Sequence, residues 1–260
     1  ITAEEIPITG DLAEDSEVQS IADSYANVLG RKLGKELCVV LRELDVRTEA
    51  VRTQECAIGN FVTDVMRMAF HGDCALLNSG ALRADTVYTP GPFLLKDLLD
   101  ILPIEDVVVV VVIKGEHLKE VLSCGISKYP AHEGRFPQVS GMTFTFDGDA
   151  PPEGRLQNVN IGGQPLDPER EYRVCTTSYL AKGGDGYIAF RNALFWDVSE
   201  ENGRILPTMV RQHLASLPVG SACIPGSHSV QSGLHFARIS SPSVASAVVF
   251  GPLSLRSSYA

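Results

Sequence analysis

The hydrophobic positions of the chain predict helices and strands that alternate at first, with strands grouped in the second half. Apolar residues recur at helical spacing over residues 15–30 and again from Phe61 to Phe70. The longest apolar run, Val107 to Ile113, is much too short to cross a membrane and has the length and composition of a buried strand. The pattern therefore predicts an α/β (α+β) fold with no membrane span.

The same pattern places the individual elements and divides the chain into three parts. Helices are predicted at 15–30, 60–70, 94–101, 116–124 and 207–217, and strands at 37–41, 75–77, 107–113, 142–146, 158–161 and 171–176. Asp15 and a Ser16/Gln19 capping box mark the start of the first helix, and Gly30 or Gly34 its end. We expect an entering segment with its helix at 1–35, a main domain at 36–217, and a Ser/Pro-rich appendage without activity at 218–260.

Composition excludes several classes of function. A net charge of −10 without a Lys/Arg run argues against binding to a nucleic acid polymer, although single arginines can still hold phosphates. The six cysteines form no Cys-x-x-Cys pair, and we expect most of them to be buried small side chains. Because the chain opens at Ile1 without a methionine or a basic leader, we expect a processed protein or an excised fragment, and its compartment stays unknown.

No motif for catalysis within this chain stands out. The six histidines occur in no Asp-x-His, Asn-His or His-Glu-x-x-His sequence, so no metal site is predicted here. The absence of Gly-x-Ser-x-Gly removes the signature of a nucleophile elbow. We therefore predict no catalytic residues and no cofactor in the chain itself.

A set of polar and aromatic groups instead suggests a binding site. Arg52 and Arg83 could bind anionic oxygens, Asn78 offers an amide, Asp185 could accept from paired hydroxyls, and Tyr179 presents a ring for stacking. Each residue alone has a structural interpretation: an arginine in an ion pair, an aspartate capping a glycine-rich turn, or a tyrosine filling the core. Their combination suggests a nucleotide.

Five ordered segments resemble the C-terminal domain of the 5′-nucleotidase family. They lie within about residues 36–217 and are Arg52-Thr-Gln-Glu-Cys-Ala-Ile-Gly-Asn60, Leu77-Asn-Ser-Gly-Ala-Leu-Arg83, Leu102-Pro103, Gly134-Arg-Phe-Pro-Gln-Val-Ser-Gly141 and Tyr179-Leu-Ala-Lys-Gly-Gly-Asp-Gly-Tyr187. The resemblance implies a four-layer α/β/β/α sandwich that binds the nucleoside part of a nucleotide. It also makes the helix at 15–30 the connector to a second domain.

The resemblance further implies a two-domain phosphohydrolase, so this chain would be inactive alone. Its partner would be an N-terminal metallophosphoesterase domain that holds two divalent metal ions and cleaves the phosphate ester. The motifs of that domain are absent from these residues. Export to an extracellular or periplasmic compartment is expected from the family.

The resemblance also assigns roles to individual residues. Arg52 and Arg83 are similar to the arginines that meet phosphate or ribose, and Asn78 to the asparagine beside the nucleotide. Asp185 would accept hydrogen bonds from the ribose hydroxyls, and Tyr179 would be one of two rings that clamp the base. Gly134 opens a further segment counted as part of the substrate site.

Two positions depart from the family pattern. Ile104 stands where the second ring of the clamp is usual, which removes stacking worth about 1 kcal/mol or more. Ser79 stands where glycine is common, and we expect a narrower loop there. Ile104 motivates one alternative, in which the substrate is a cyclic nucleotide, a nucleotide sugar or another phosphoester. A second alternative, from a different class, is a non-catalytic interaction module that uses the Ser/Pro-rich C-terminal tail.

Overall fold

The computed structural model describes residues 15–217, 222–223 and 230–232. The helices are α1 (Ser16–Leu33), α2 (Thr48–Val51), α3 (Ala57–Phe70), α4 (Leu95–Ile101), α5 (Gly115–Ile126), α6 (Ser178–Ala181) and α7 (Leu206–Ser216). The strands are β1 (Glu36–Val40), β2 (Leu44–Asp45), β3 (Cys74–Asn78), β4 (Val87–Tyr88), β5 (Gly91–Leu94), β6 (Val107–Lys114), β7 (Pro137–Ser140), β8 (Met142–Phe146), β9 (Leu156–Ile161), β10 (Gln164–Pro165), β11 (Glu171–Thr177), β12 (Phe195–Val198), β13 (Arg204–Ile205), β14 (Ala222–Cys223) and β15 (Val230–Ser232). Most of the predicted appendage at 218–260 lies outside the described residues.

Helix α1 begins at Ser16, directly after its N-cap residue Asp15. The Asp15 carboxylate accepts hydrogen bonds from the backbone N–H groups of Glu17 at 2.9 Å and Val18 at 3.1 Å, so Asp15 caps the helix without the Ser16/Gln19 box. Gly34 ends the helix by donating its N–H to the Gly30 carbonyl at 2.9 Å. The apolar side chains of the predicted face are exposed; they are Val18, Ile21, Tyr25, Val28 and Leu29.

A mixed six-stranded sheet forms the centre of the fold. Its strand order is β12-β6-β11-β3-β7, and β13 also pairs with β6. Strand β6 is buried on both faces: Val108 and Val110 belong to one hydrophobic core, and Val109 and Val111 to the other. Burial on both faces explains why this strand is an unbroken apolar run instead of an alternating one.

The two cores lie on opposite faces of the central sheet: one packs helices against it, and the other packs a helix and a second sheet against it. Residues of α3, α4 and α7 fill the first core, and residues of α5 fill the second together with the apolar faces of β8 and β9. Strands β8 and β9 belong to a four-stranded sheet ordered β10-β9-β8-β15, and a three-stranded sheet is ordered β14-β1-β5. The predicted α/β class is confirmed.

Strands β3 and β11 set the position of the polar residues. They are adjacent and parallel, with Val174 opposite Cys74 and Cys175 opposite Ala75. Strand β3 ends at Asn78 and β11 at Thr177, so the loops that follow these two strands leave the sheet at the same edge. Loops after the carboxyl ends of such strands are a common place for ligand sites.

Candidate functional site

The carboxylate of Asp185 lies at the centre of the polar cluster. Asp185 sits in a turn whose backbone is left-handed, with φ of 92° at Gly183, 52° at Asp185 and 86° at Gly186. Its Oδ2 accepts from Asn78 Nδ2 at 2.7 Å, and its Oδ1 accepts from the Tyr179 hydroxyl at 2.7 Å. Glycines on both sides permit this turn, which aims the carboxylate back at the ends of β3 and α6.

The ring of Tyr179 is held against the same turn. A Cβ atom at Gly184 would lie 2.5 Å from the ring, so the ring packs directly on the glycine backbone. The Asp185 N–H also donates to the Tyr179 hydroxyl at 3.1 Å. The hydrogen bond to Asp185, followed by burial, raises the pKa of the Tyr179 phenol. The side chain is still 48% exposed, which leaves ring surface available for stacking.

The two tyrosines of this segment have different environments. Tyr187 is fully buried in the second core, and its hydroxyl donates to the Arg135 carbonyl. Burial raises the pKa of Tyr187 well above its ordinary value. The core-filling interpretation therefore applies to Tyr187, while Tyr179 faces solvent.

Gly80 and Gly134 pack backbone against backbone beside Asp185. The Gly80 N–H donates to the Gly134 carbonyl at 2.8 Å, and a Cβ at Gly134 would lie 3.1 Å from the Gly80 Cα and 3.6 Å from Asp185 Oδ2. Ser79, one of the two departures from the family pattern, adds a second tie. Its N–H donates to the Phe136 carbonyl at 2.8 Å and its hydroxyl to the Gly134 carbonyl at 3.2 Å.

Arg52 contacts the loop that leads into Gly134. It follows α2, and its Nη1 donates to the carbonyl of His132 at 2.8 Å, two residues before Gly134. Its buried Nε has no hydrogen-bond partner in the part of the chain that the structure describes. The bond from Nη1 thus holds Arg52 beside the Gly134 loop.

Arg83 and Ile104 lie around the C-terminal end of α4. The Arg83 N–H donates to the Ile101 carbonyl at 2.9 Å, and Arg83 Nε donates to the Gly80 carbonyl at 2.6 Å. Ile104 is 45% exposed in the loop between α4 and β6. Asp106 of that loop accepts from the hydroxyl of Ser178 at 3.3 Å, which ties the loop to the residue before Tyr179.

Of the seven predicted site residues, Asn78, Tyr179 and Asp185 form a direct hydrogen-bond network, and Gly134 packs beside it against Gly80. Side-chain bonds to backbone carbonyls hold Arg52 near Gly134 and Arg83 at Gly80. No direct hydrogen bond joins Ile104 to this network in the part of the chain that the structure describes.

Gln138 was missed. Its buried amide donates to the carbonyls of Val51 and Gln54, each at 2.9 Å, and accepts from the N–H of Cys56 at 3.2 Å. Gln138 belongs to the Gly134–Gly141 segment, which pointed to a role near the site. Its partners lie more than eighty positions away in the sequence, so the sequence pattern could not identify them.

No metal site or membrane-spanning helix is found within the described ranges. They contain no group of three or more His, Cys, Asp or Glu side chains that could hold a metal ion. Their helices are also too short or too polar to span a bilayer. Cys56 and Cys74 are buried thiols without a disulfide bond.

Comparison with known proteins gives several relatives with nucleotide chemistry in their names. The chain is 30% identical to the trifunctional nucleotide phosphoesterase protein YfkN of Bacillus subtilis over 197 residues, which cover 72% of this chain and 13% of that protein. It is 25% identical to a 5′-nucleotidase of Diplobatis ommata, over 76% of this chain and 37% of that protein. The chain thus spans well under half the length of these curated relatives.

Solved structures agree with the fold. The 5′-nucleotidase precursor from Thermus thermophilus superposes with a TM-score of 0.75 and 25% identity over 84% of this chain and 43% of that one. The NAD nucleotidase of Haemophilus influenzae shares the fold, with a TM-score of 0.64 and 20% identity over 84% of this chain and 41% of that one. Residues 35–192 match the family described as 5′-nucleotidase, C-terminal domain. The resemblance inferred from the five motifs is therefore confirmed, and the chain belongs to the 5′-nucleotidase C-terminal domain family.

Proposed function

We propose that this chain is the nucleotide-recognition part of a phosphohydrolase that converts nucleoside monophosphates to nucleosides and phosphate. The observation that carries the proposal is the Asn78–Asp185–Tyr179 network. It places an ionisable carboxylate, an amide and an exposed aromatic ring at one edge of the sheet. A ribose with its attached base needs these three kinds of group.

Each group has a part in recognition. The Asp185 carboxylate accepts hydrogen bonds from sugar hydroxyls, and such charge-assisted bonds are stronger than neutral ones. The outer face of the Tyr179 ring stacks on the base, with Ile104 as the apolar wall of the same loop cluster. Asn78 keeps the carboxylate turned toward the ligand.

The arginines supply positive charge for the phosphate end. Within the described ranges neither Arg52 nor Arg83 lies at salt-bridge distance from a carboxylate, whereas Arg47 pairs with Asp45 at 2.6 Å. A guanidinium group with spare donors matches the geometry of phosphate oxygens.

Cleavage belongs to another domain in this proposal. The resemblance assigns it to a metallophosphoesterase domain with two divalent metal ions, which would activate water and stabilise the charge on phosphorus. The residues here bind and orient the substrate, which contributes through effective molarity. This chain is then inactive alone. Export of the parent protein is part of the proposal, supported by relatives named as snake venom 5′-nucleotidases.

The first test is calorimetric titration of the chain with adenosine and AMP, beside the variant Asp185→Asn. Asparagine tolerates the left-handed backbone at this position, so the turn is retained while the charge is lost. We expect the variant to bind at least about tenfold more weakly, because a hydrogen bond to a charged group contributes about 1.5–3 kcal/mol. Equal affinity in the two proteins would refute the role of Asp185, and no binding to the wild-type chain would refute the proposal for this chain.

Ile104 favours one alternative substrate class. An exposed aliphatic side chain replaces the second ring of the clamp, so the base contributes less to binding than in a two-ring site. A cyclic nucleotide, a nucleotide sugar or another phosphoester then becomes a candidate. Titration with ligands that vary the base and the phosphate independently separates these cases, and Ile104→Phe should strengthen purine binding selectively if the nucleotide assignment is right.

A further inference from the structure

A groove between helices α3 and α7 lies apart from the polar cluster around Asp185. Its volume is about 330 Å³, within the range of roughly 300–1,000 Å³ that is usual for small-molecule sites. The side chains that line it share one face of each helix and include Val65, Met68 and Ala69 of α3 and Met209, His213 and Ser216 of α7. None of the seven predicted site residues lines this groove.

The floor of the groove is apolar and can adapt its shape. Val65 and Met209 are buried, and Met68 is partly buried. Methionine side chains are flexible and fill irregular spaces, so they adjust to the ligand that they meet. Ala69 and Ser216 are small, which leaves space between the two facing helices. The groove therefore suits the apolar part of a small molecule.

One wall of the groove carries a positive charge. Arg204 of β13 lines it, with its guanidinium group 5.6 Å from the centroid of the Phe70 ring. Within the described ranges Arg204 has no carboxylate at salt-bridge distance, whereas Arg67 lies 3.9 Å from Asp64. Burial lowers the pKa of His213 from its ordinary value of 6.5, so among the described lining residues Arg204 carries the charge at neutral pH.

The absence of nearby acids makes this charge available to a ligand. No aspartate or glutamate is found among the described residues that line the groove, although the chain has a net charge of −10. The planar guanidinium group of an arginine matches a carboxylate in geometry, and it stacks on aromatic rings such as that of Phe70. An anionic head group would therefore meet an oriented and uncompensated partner.

We propose that this groove binds an amphipathic anion, with its apolar tail on the two methionines and its carboxylate paired with Arg204. The tail contributes most of the affinity, since each CH₂ group removed from water strengthens binding by about fourfold. The carboxylate contributes less and selects the charge of the ligand. This inference does not depend on the proposed function, because no residue assigned to the nucleotide takes part.

The test is a titration of the 260-residue chain with sodium octanoate, followed by NMR of labelled methionine methyl groups. Met68 and Met209 report on the groove, and Met142 in the other core is the internal control. We expect saturable shifts at the first two and none at Met142. 1-Octanol has the same tail without the charge and should bind about fivefold more weakly, the upper value for an exposed ion pair.

Two arginine variants assign the preference for the anion. Arg204→Met keeps an unbranched side chain without the charge, so octanoate and octanol should bind this variant equally. Arg211→Met is the matched control, because Arg211 is an exposed residue of α7 that does not line the groove. It should retain the wild-type preference for octanoate.

Any of four outcomes would overturn the inference. They are the absence of shifts at Met68 and Met209, shifts of equal size at Met142, equal affinities for octanoate and octanol in the wild-type chain, and a preference for octanoate that survives in Arg204→Met. None of these results bears on adenosine binding at Asp185. The proposed function therefore stands or falls by its own titration.

Discussion

At the scale of single residues, the contact between Gly80 and Gly134 controls how closely two loops approach. Their backbones meet without any side chain between them, and the Asp185 carboxylate lies just beyond. A methyl group at either position has to push the loops apart or move the carboxylate. The site thus depends on residues that carry no functional group.

Gly134→Ala should weaken nucleoside binding more than it weakens the fold. The new Cβ would stand 3.1 Å from the Gly80 Cα, tighter than ordinary van der Waals contact. Forced contacts of this kind cost about 1–3 kcal/mol. Calorimetry with adenosine and urea unfolding measure the two effects. Gly154→Ala is the control, because nothing lies within 4 Å of its added Cβ; equal affinity in the two variants would contradict the prediction.

Site residues could be predicted from the sequence where their side chains carry a distinctive functional group. Asn78, Tyr179 and Asp185 were selected as an amide, a ring and a carboxylate, and the fold brings them into direct contact. The hydrogen bond between Tyr179 and Asp185 was not predicted, because both side chains had been assigned wholly to the ligand. The hydrogen bond from the Ser79 hydroxyl to the Gly134 carbonyl could not be predicted from sequence, because it joins residues 55 positions apart. The narrower loop at Ser79 stays a prediction.

At the scale of elements, strand β7 connects the loop of Arg52 to the central sheet. Gln138 on this strand is fully buried, and its amide satisfies three backbone groups between Val51 and Cys56. Buried backbone groups that lose their partner cost about 1–3 kcal/mol each. One side chain therefore fixes the segment from which Arg52 projects.

Gln138→Met should destabilise the chain by about 3 kcal/mol or more, because methionine retains the side-chain length but leaves the three backbone groups without partners. The free energy of unfolding in urea measures the loss. Gln164→Met, on an exposed position of β10, should change it by less than about 0.5 kcal/mol. Similar losses in the two variants would show that the buried amide contributes no more than a surface residue.

Long periodic elements were predictable, and short ones were not. The run of valines indicated β6, and the helical spacing after Asn60 indicated α3, which starts three residues earlier because Cys56 accepts from the N–H of Gly59 at 3.3 Å. Strands of two residues depend on pairing with distant partners, as Leu44 does with Tyr88. Such pairing leaves no periodic signal along the chain.

At the scale of the whole molecule, a half-buried histidine makes stability depend on pH. His213 on α7 faces Phe61 of α3, with ring centroids 5.9 Å apart. Burial lowers the pKa of His213 from its ordinary value of 6.5. The unfolded chain therefore takes up a proton near pH 6.5 while the folded chain resists it. The corresponding stability is complete above that pH and is lost as the pH falls toward the lower pKa of the folded state.

We expect the midpoint temperature of thermal unfolding to be lower at about pH 5.5 than at about pH 7.5. The difference between the two pH values should be smaller in His213→Phe. Carboxyl groups with lowered pKa values, such as Asp45 beside Arg47, lose their contribution only at more acidic pH, below about 5. Thermal melts at the two pH values provide the measurement. His117→Gln serves as the histidine control. A fall that is unchanged in His213→Phe would assign the pH dependence to other groups.

The parallel pairing of β3 with β11 also bears on how such a domain can diverge. Side chains up to Leu77 and Thr176 are buried in the interior, whereas the residues proposed to contact a ligand follow these positions. Asn78 comes directly after Leu77, and Tyr179 and Asp185 lie in the segment that follows β11. Mutation can therefore alter ligand choice without remodelling the interior. Directed evolution restricted to the loops after these strands should yield new specificities at small cost in stability. The scaffold would then tolerate substitutions in its polar loops and resist them in its packed interior.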